Sequence, residues 1–388
     1  MEIEVAQLSN EFRDRFGSTP RFFQAPGRVN LIGEHTDYNE GFVMPFAINC
    51  RAVVAAASRD DSTLRVYARD LDEEVTIDLR DEPVMRRGMW VDYVEGIYRI
   101  LAQRSSNATR GADMILTSTV PIGAGLSSSA AIEMALGLAI LGLNGEDIDR
   151  KMLALAGQRV EHEFVGTRSG VMDQFTSVFA RRGNAMLLDC RSLEIEYVPI
   201  EFKDVAIAVV DSKIKHDLAS SEYNTRREEC ETGVAILREH ISGVTSLRDV
   251  TKEELDRYSN LLPETIARRC RHVVTENART LAAASAFRNS DVETAGTLMS
   301  ESHASLRDDY EVSCAELDRL VDTALSVNGV YGARMTGGGF GGCTVNLVRR
   351  DAIEEFRRSI TSDYRSEFGH APEAYTFQPT DGASEMIL

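Results

Sequence analysis

Residues 121–143, PIGAGLSSSAAIEMALGLAILGL, constrain the fold more than any other stretch. A glycine-rich loop runs directly into an apolar helix, and the segment before it, ADMILTSTV (112–120), reads as a buried strand. Gly123 and Gly125 let the backbone approach a ligand closely. Ser127, Ser128 and Ser129 crowd the helix start, where unpaired N–H groups and the macrodipole suit a phosphate. One serine suffices to cap a helix; three in a row after two glycines favour phosphate binding. No G-x-x-x-x-G-K-[ST] pattern occurs, which excludes a P-loop site.

A second glycine-rich stretch, MTGGGFGGCTV (335–345), contains a literal G-x-G-x-x-G at Gly337, Gly339 and Gly342. The residues after it, CTVNLVRR, read as a strand where a dinucleotide fold needs a helix, so a nicotinamide oxidoreductase reading fails on context. Five glycines in six residues exceed what a hairpin needs. They predict a backbone packed against the first glycine loop.

Two further segments carry polar chemistry. GRVNLIGEHTDYNEGFVMP (27–45) sets Glu34, His35, Thr36 and Asp37 in a row between stretches that read as buried strands. SGVMDQFTSVF (169–179) puts Asp173 among apolar neighbours at helical spacing, and Glu161 lies in QRVEHEF on a helix over 147–165. Taken singly, EHTD reads as a solvated turn, Asp173 as a helix-end carboxylate and Glu161 as helix surface.

The remainder sets the class. The 388 residues, 43% hydrophobic and 27% charged, suit two α+β domains, placed at 1–200 and 201–388. The pattern is helical over 1–16, strand-like over 22–80, helical at 90–104, and strand again at 184–189 and 205–211. It is mostly helical from 217 to 326, with a helix near 351–366 and a final strand at AYTFQP. No run of about eighteen apolar residues occurs, and MEIEVAQLSNEF lacks a signal-peptide pattern. Six scattered cysteines without a C-x-x-C pair point to reduced thiols in the cytoplasm, not disulfides or zinc. The formal charge of −18 argues against nucleic acid and anionic membrane partners. A small anionic ligand remains compatible with it, and Arg28, Lys213, Lys215, Arg226 and Arg227 are candidates for a local positive patch.

From about residue 22 to 348, in order and spacing, these segments resemble the GHMP small-molecule kinases, and within them the galactokinase family. GRVNLIGEHTDYNEGFVMP is similar to that family's signature, departing at Glu40 where a second glycine is usual. VPIGAGLSSSAA resembles the phosphate loop, GVYGARMTGGGFGGCTV the third glycine motif, and SGVMDQF the segment with the catalytic aspartate. The resemblance implies an N-terminal ribosomal-protein-like domain and a C-terminal ferredoxin-like domain with the active site between them. It implies phosphorylation of D-galactose at its C1 hydroxyl by ATP with Mg²⁺, the entry step of galactose catabolism; separately from the resemblance, a monomer is expected.

Carried over by residue, the resemblance puts Glu34, His35, Thr36, Asp37 and Tyr223 (in SEYNTRR) on the sugar. Arg28 and Asp173 flank its anomeric hydroxyl. Gly123, Ala124, Gly125, Leu126, Ser127, Ser128 and Ser129 wrap the ATP phosphates, and Ser129 and Glu161 hold the metal. Trp90 and Tyr93 in WVDYVEG resemble the adenine pocket. Related alternatives are a kinase of N-acetylgalactosamine or arabinose, and a non-catalytic galactose sensor. The complete GLSSSAA loop and Asp173 argue against the sensor.

Overall fold

Strands with opposite burial habits frame the molecule, and the computed structural model describes residues 3–103, 110–214 and 219–387. The chain begins with α1 (Val5–Phe16), β1 (Arg21–Asn30), the short β2 (Phe42–Val43) and the long β3 (Pro45–Ser58). Then come β4 (Thr63–Ala68), β5 (Glu73–Asp78), α2 (Val91–Ala102) and β6 (Ala112–Ser118). Helices α3 (Ser128–Leu143), α4 (Arg150–Val160) and α5 (Met172–Phe179) precede β7 (Asn184–Asp189), β8 (Glu194–Pro199) and β9 (Val205–Asp211). Next are α6 (Ala219–Leu237), α7 (Lys252–Tyr258), α8 (Glu264–Arg288), α9 (Val292–Ser305) and α10 (Ala315–Ser326). The described chain closes with β10 (Val330–Thr336), β11 (Cys343–Arg349), α11 (Ile353–Phe368), β12 (Glu373–Thr376) and β13 (Ser384–Met386).

One sheet has the order β13-β1-β3-β6-β4-β5, a second β10-β11-β9-β12, and a small third β2-β7-β8. β4 alternates, burying Leu64, Val66 and Ala68 and turning Thr63, Arg65 and Tyr67 outward, as a strand with one wet face does. Every residue of β9 is buried, as expected of a strand covered on both faces. α3 is buried along nearly its whole length from Ala130 to Leu141. It packs on β1 and β3 and carries α2, α4 and α5 on its other side, so an all-round apolar helix becomes the inner layer.

The expected helix over 147–165 divides. Asp149 caps α4 by accepting from the N–H groups of Lys151 and Met152, and Glu161–Val165 winds as a π-turn. Such turns concentrate at functional sites because they re-aim side chains. β8 and β13 are strands the patterning did not anticipate. β13 brings the chain back to the first sheet, pairing Met386 with Phe22. Among the described residues, no helix is long and apolar enough to cross a membrane.

Candidate active site

A cavity of ≈ 480 Å³ is lined by Arg28, Glu34, Asp37, Asp173 and Tyr223 together with both glycine-rich loops. The first loop lies against β1. A bulge between Pro26 and Arg28 turns the strand there, and a Cβ on Gly27 would stand 2.6 Å from the Leu126 carbonyl. The Arg28 N–H donates to that carbonyl (3.1 Å). The Arg28 guanidinium then reaches Asp173 in a two-pronged bond, Nε to Oδ1 at 2.7 Å and Nη2 to Oδ2 at 2.8 Å, while Nη1 donates to the Gly125 carbonyl (2.6 Å). Burial works against the Arg28 charge, but Asp173, Glu34 and Asp37 outweigh it and raise its already high pKa further. Asp173 sits in the first turn of α5, and its oxygens accept from Arg28 and from the Ser127 hydroxyl (2.5 Å). The side chain keeps 30% of its surface open to the cavity.

The EHTD segment forms the opposite wall. Glu34 is buried, and its Oε1 accepts from the Gly337 N–H (2.8 Å), the Thr336 hydroxyl (3.1 Å) and Arg334 (3.4 Å). His35, at φ 62, is a non-glycine residue in the left-handed region. Its Nδ1 lies 2.7 Å from the Tyr38 hydroxyl and its Nε2 3.2 Å from the Gly338 carbonyl. Burial, with Asp173 nearby, pushes the Asp37 carboxyl up to about 7. Behind this wall stands a buried support from α8: Glu276 accepts from the Gly33 N–H (3.0 Å), and His272 Nε2 lies 3.1 Å from the Glu34 carbonyl. Burial alone would raise Glu276, but Arg279, His272 and Arg334 hold it down at about 2.

The phosphate end is less filled. Gly123 and Gly125 are exposed to the cavity, whereas Ala124 and Leu126 anchor the loop in the core and offer only backbone. Ser127 is left-handed (φ 56), and its hydroxyl makes no capping bond to α3 because it serves Asp173 instead. The α3 N-terminus therefore keeps donors free of a side-chain cap, which is what an anion site requires. The second glycine loop lies behind it, as its glycine excess predicts. A Cβ on Gly337 would stand 3.2 Å from the Gly125 carbonyl, and one on Gly342 3.3 Å from that of Ala124. Ser129 and Glu161 meet at the cavity edge; burial pushes Glu161 up to about 7, against the pull of the Ser129 hydrogen bond. Among the described residues no group of three or more His, Cys, Asp or Glu can hold a metal unaided. One carboxylate and one hydroxyl beside a phosphate site do suit Mg²⁺, which takes its remaining ligands from phosphate oxygens and water.

Other expected site residues are placed differently. Thr36 is fully buried and off the cavity wall, its hydroxyl bonded to the carbonyls of Gly33 (2.8 Å) and Phe42 (2.6 Å). Ser128, half-buried, likewise does not line the cavity. Tyr93 lines the cavity, but Trp90 lines a neighbouring one, its indole N–H donated to Glu73 (2.6 Å). The four candidate cations among the described residues do not form a patch. Lys213 pairs with Asp211 and Glu373, Arg226 serves the carbonyls of Tyr310 and Glu311, and Arg227 pairs with Glu231. Lys215 lies outside the described residues. Of the four described, only Arg28 faces the cavity. Sequence reasoning missed Arg334 and Glu133. Glu133 lies one turn behind Ser129, fully buried, bonded to Gln174 (3.0 Å) and pushed well up by burial and Glu161.

Residues 10–58 match the galactokinase galactose-binding signature, residues 92–181 the GHMP kinase N-terminal domain and residues 283–366 the GHMP kinase C-terminal domain. A galactokinase of Roseiflexus sp. (strain RS-1) is 44% identical over 387 residues, covering 99% of this chain and 98% of its own. The chain belongs to the galactokinase family. A galactokinase of Chloroflexus aggregans (strain MD-66 / DSM 9485) is 46% identical over 378 residues, 97% of this chain and 95% of its own. Lactococcus lactis galactokinase, solved in complex with galactose, superposes with a TM-score of 0.94 at 34% identity, covering 99% of this chain and all of that one. The two-domain α+β fold is that of the GHMP kinases.

Proposed function

We propose that this protein transfers the γ-phosphoryl group of ATP to the C1 hydroxyl of D-galactose, giving galactose 1-phosphate and ADP. The observation that carries this reading is the Arg28–Asp173 pair, set between a wall of sugar-binding polarity and an uncapped, glycine-lined helix start. Glu34, Asp37 and Tyr223 line the sugar end, and carboxylates there can each accept from neighbouring hydroxyls of a hexose. The backbone N–H groups of the 123–129 loop cradle the phosphates, and Tyr93 borders the base. Asp173 accepts the hydrogen of the C1 hydroxyl and takes its proton as the new P–O bond forms and the bond to the β-phosphate oxygen breaks. Arg28 orients that carboxylate and offsets negative charge on the transferring group. Phosphoryl transfer depends on such positioning more than on covalent participation.

Ser129 and Glu161 would hold Mg²⁺, which supplies charge neutralisation at the β- and γ-phosphates when bound. We further infer a monomer acting in the cytoplasm; six free thiols support a reducing compartment. The test is a coupled ADP-release assay across galactose, N-acetylgalactosamine, arabinose and glucose. Turnover restricted to galactose supports the reading, and equal or better turnover on another of the four overturns it.

A further inference from the structure

A chain of buried hydrogen bonds runs away from the cavity behind His35. Its Nε2 lies 3.2 Å from the Gly338 carbonyl and its Nδ1 2.7 Å from the Tyr38 hydroxyl. That hydroxyl is 2.7 Å from the Tyr310 hydroxyl, which is 3.2 Å from Cys230 Sγ. One member settles the direction of every bond. A carbonyl only accepts, so Nε2 carries the hydrogen that faces Gly338. Burial, together with His272, Arg226 and Arg334, lowers His35 to about 3, so its ring is neutral and Nδ1 is a lone pair. Tyr38 must then donate to Nδ1, Tyr310 to Tyr38, and the Cys230 thiol to Tyr310. The reverse order would set the Nε2 lone pair against the Gly338 oxygen.

We propose that Tyr38 and Tyr310 are positioning residues that fix His35 as an Nε2–H donor at the edge of the sugar pocket. The ring they hold is packed between Tyr310 (centroids 4.8 Å apart) and Tyr223 (5.2 Å), and it rises from a left-handed backbone that needs such support. His35 lines the cavity between two acceptors, Glu34 and Asp37. The relay thereby commits the ring's one N–H to the Gly338 carbonyl and holds His35 in place as part of the sugar wall. Tyr310 lies in the turn after α9 and Gly338 in the second glycine loop, so the donor is set by the half of the chain that does not contain EHTD.

This inference rests on the sugar-kinase reading, and two measurements separate the two. The first is ¹⁵N NMR of histidine-labelled wild-type protein, with the His35 ring assigned by comparison with His35→Asn. Protonation at Nε2 alone is expected; an Nδ1–H ring, or a doubly protonated one at neutral pH, overturns the relay whatever the substrate. The second is kinetics of Tyr38→Phe and Tyr310→Phe, which keep the packed rings. Loss of one buried donor is expected to raise KM for galactose roughly tenfold in Tyr38→Phe, and less in Tyr310→Phe. KM for ATP should stay within about twofold of wild type. Sugar and ATP constants moving together, or neither moving, would mean that the tyrosines only support the fold. Failure of the wild type to phosphorylate galactose would sink the kinase reading and leave the NMR result to judge the relay alone.

Discussion

The sugar wall and the phosphate wall of the cavity are built on opposite terms. Glu34, His35 and Thr36 have their polar groups engaged before any ligand arrives, through Gly337, Thr336, Tyr38, Gly338 and the carbonyls of Gly33 and Phe42. At the phosphate end, the α3 start lacks a side-chain cap, and burial lifts Glu161 toward neutrality. A rigid wall reads shape, because a misfit leaves a buried group unpaired. An open wall is completed by whatever charge enters it. Selectivity should therefore reside at the sugar end and ionic dependence at the other.

The largest effect is expected where the two walls meet. Asp173→Asn preserves the shape but removes the base, and turnover should fall by about 10²–10⁴-fold. Galactose binding by calorimetry should change far less; near-normal turnover would detach Asp173 from the chemistry. Next comes the rigid wall. Wild-type efficiency on glucose should be lower than on galactose by at least roughly 10³-fold, since the epimeric hydroxyl leaves Asp37 or Tyr223 mispaired. In Asp37→Ala most activity on galactose should disappear and the ratio narrow, whereas Tyr223→Phe should act more mildly. A ratio that survives Asp37→Ala would place discrimination elsewhere.

The open wall should answer to metal. Ser129→Ala and Glu161→Gln should each raise the magnesium needed for half-maximal rate, by roughly tenfold. Unchanged magnesium dependence in both would make them ordinary helix residues. The smallest effect is on stability. Glu161, at about 7 against an ordinary 4.5, favours its protonated form in the native state. The ligand-free protein therefore binds more protons folded than unfolded between those values, and this contribution is lost as pH rises from about 4.5 through 7. Glu161→Gln should flatten that loss by a few degrees in melting temperature. A melting curve equally steep with pH in both proteins would show that Glu161 is not strained when empty.

Much of this contrast was legible in the sequence because it is written in backbone chemistry. Glycine runs and a serine cluster announce close approach and an open helix end wherever they stand, and the alternation in TLRVYA announces a half-buried strand. What stayed hidden depends on direction. Three adjacent serines look alike until the left-handed turn at Ser127 sends that hydroxyl to Asp173 and leaves Ser129 for Glu161. Thr36 sits inside EHTD yet faces backward, because a tight turn must satisfy its own carbonyls. Arg334 reads as a polar residue on β10, yet no alternation reveals that it is wholly buried beside Glu34. β13 is only three residues long, too short for any period to register.

That short strand has a consequence for how the protein is made. β1, which carries Arg28, has β3 on one side and β13 on the other, joined by the Arg21–Glu385 pair across 364 residues of sequence. On a ribosome the first sheet is assembled from its opening strands while its outer edge stays bare. The cover arrives only after the helical second half has been synthesised. Through that interval an apolar strand, with Phe22 and Phe23 in it, offers unpaired backbone to any neighbouring chain. Contacts of this span also form late in folding, since loop closure must be met before they reward it. The three-residue β13 then acts as a closing seam, and the nascent chain rather than the finished enzyme is the state most exposed to aggregation.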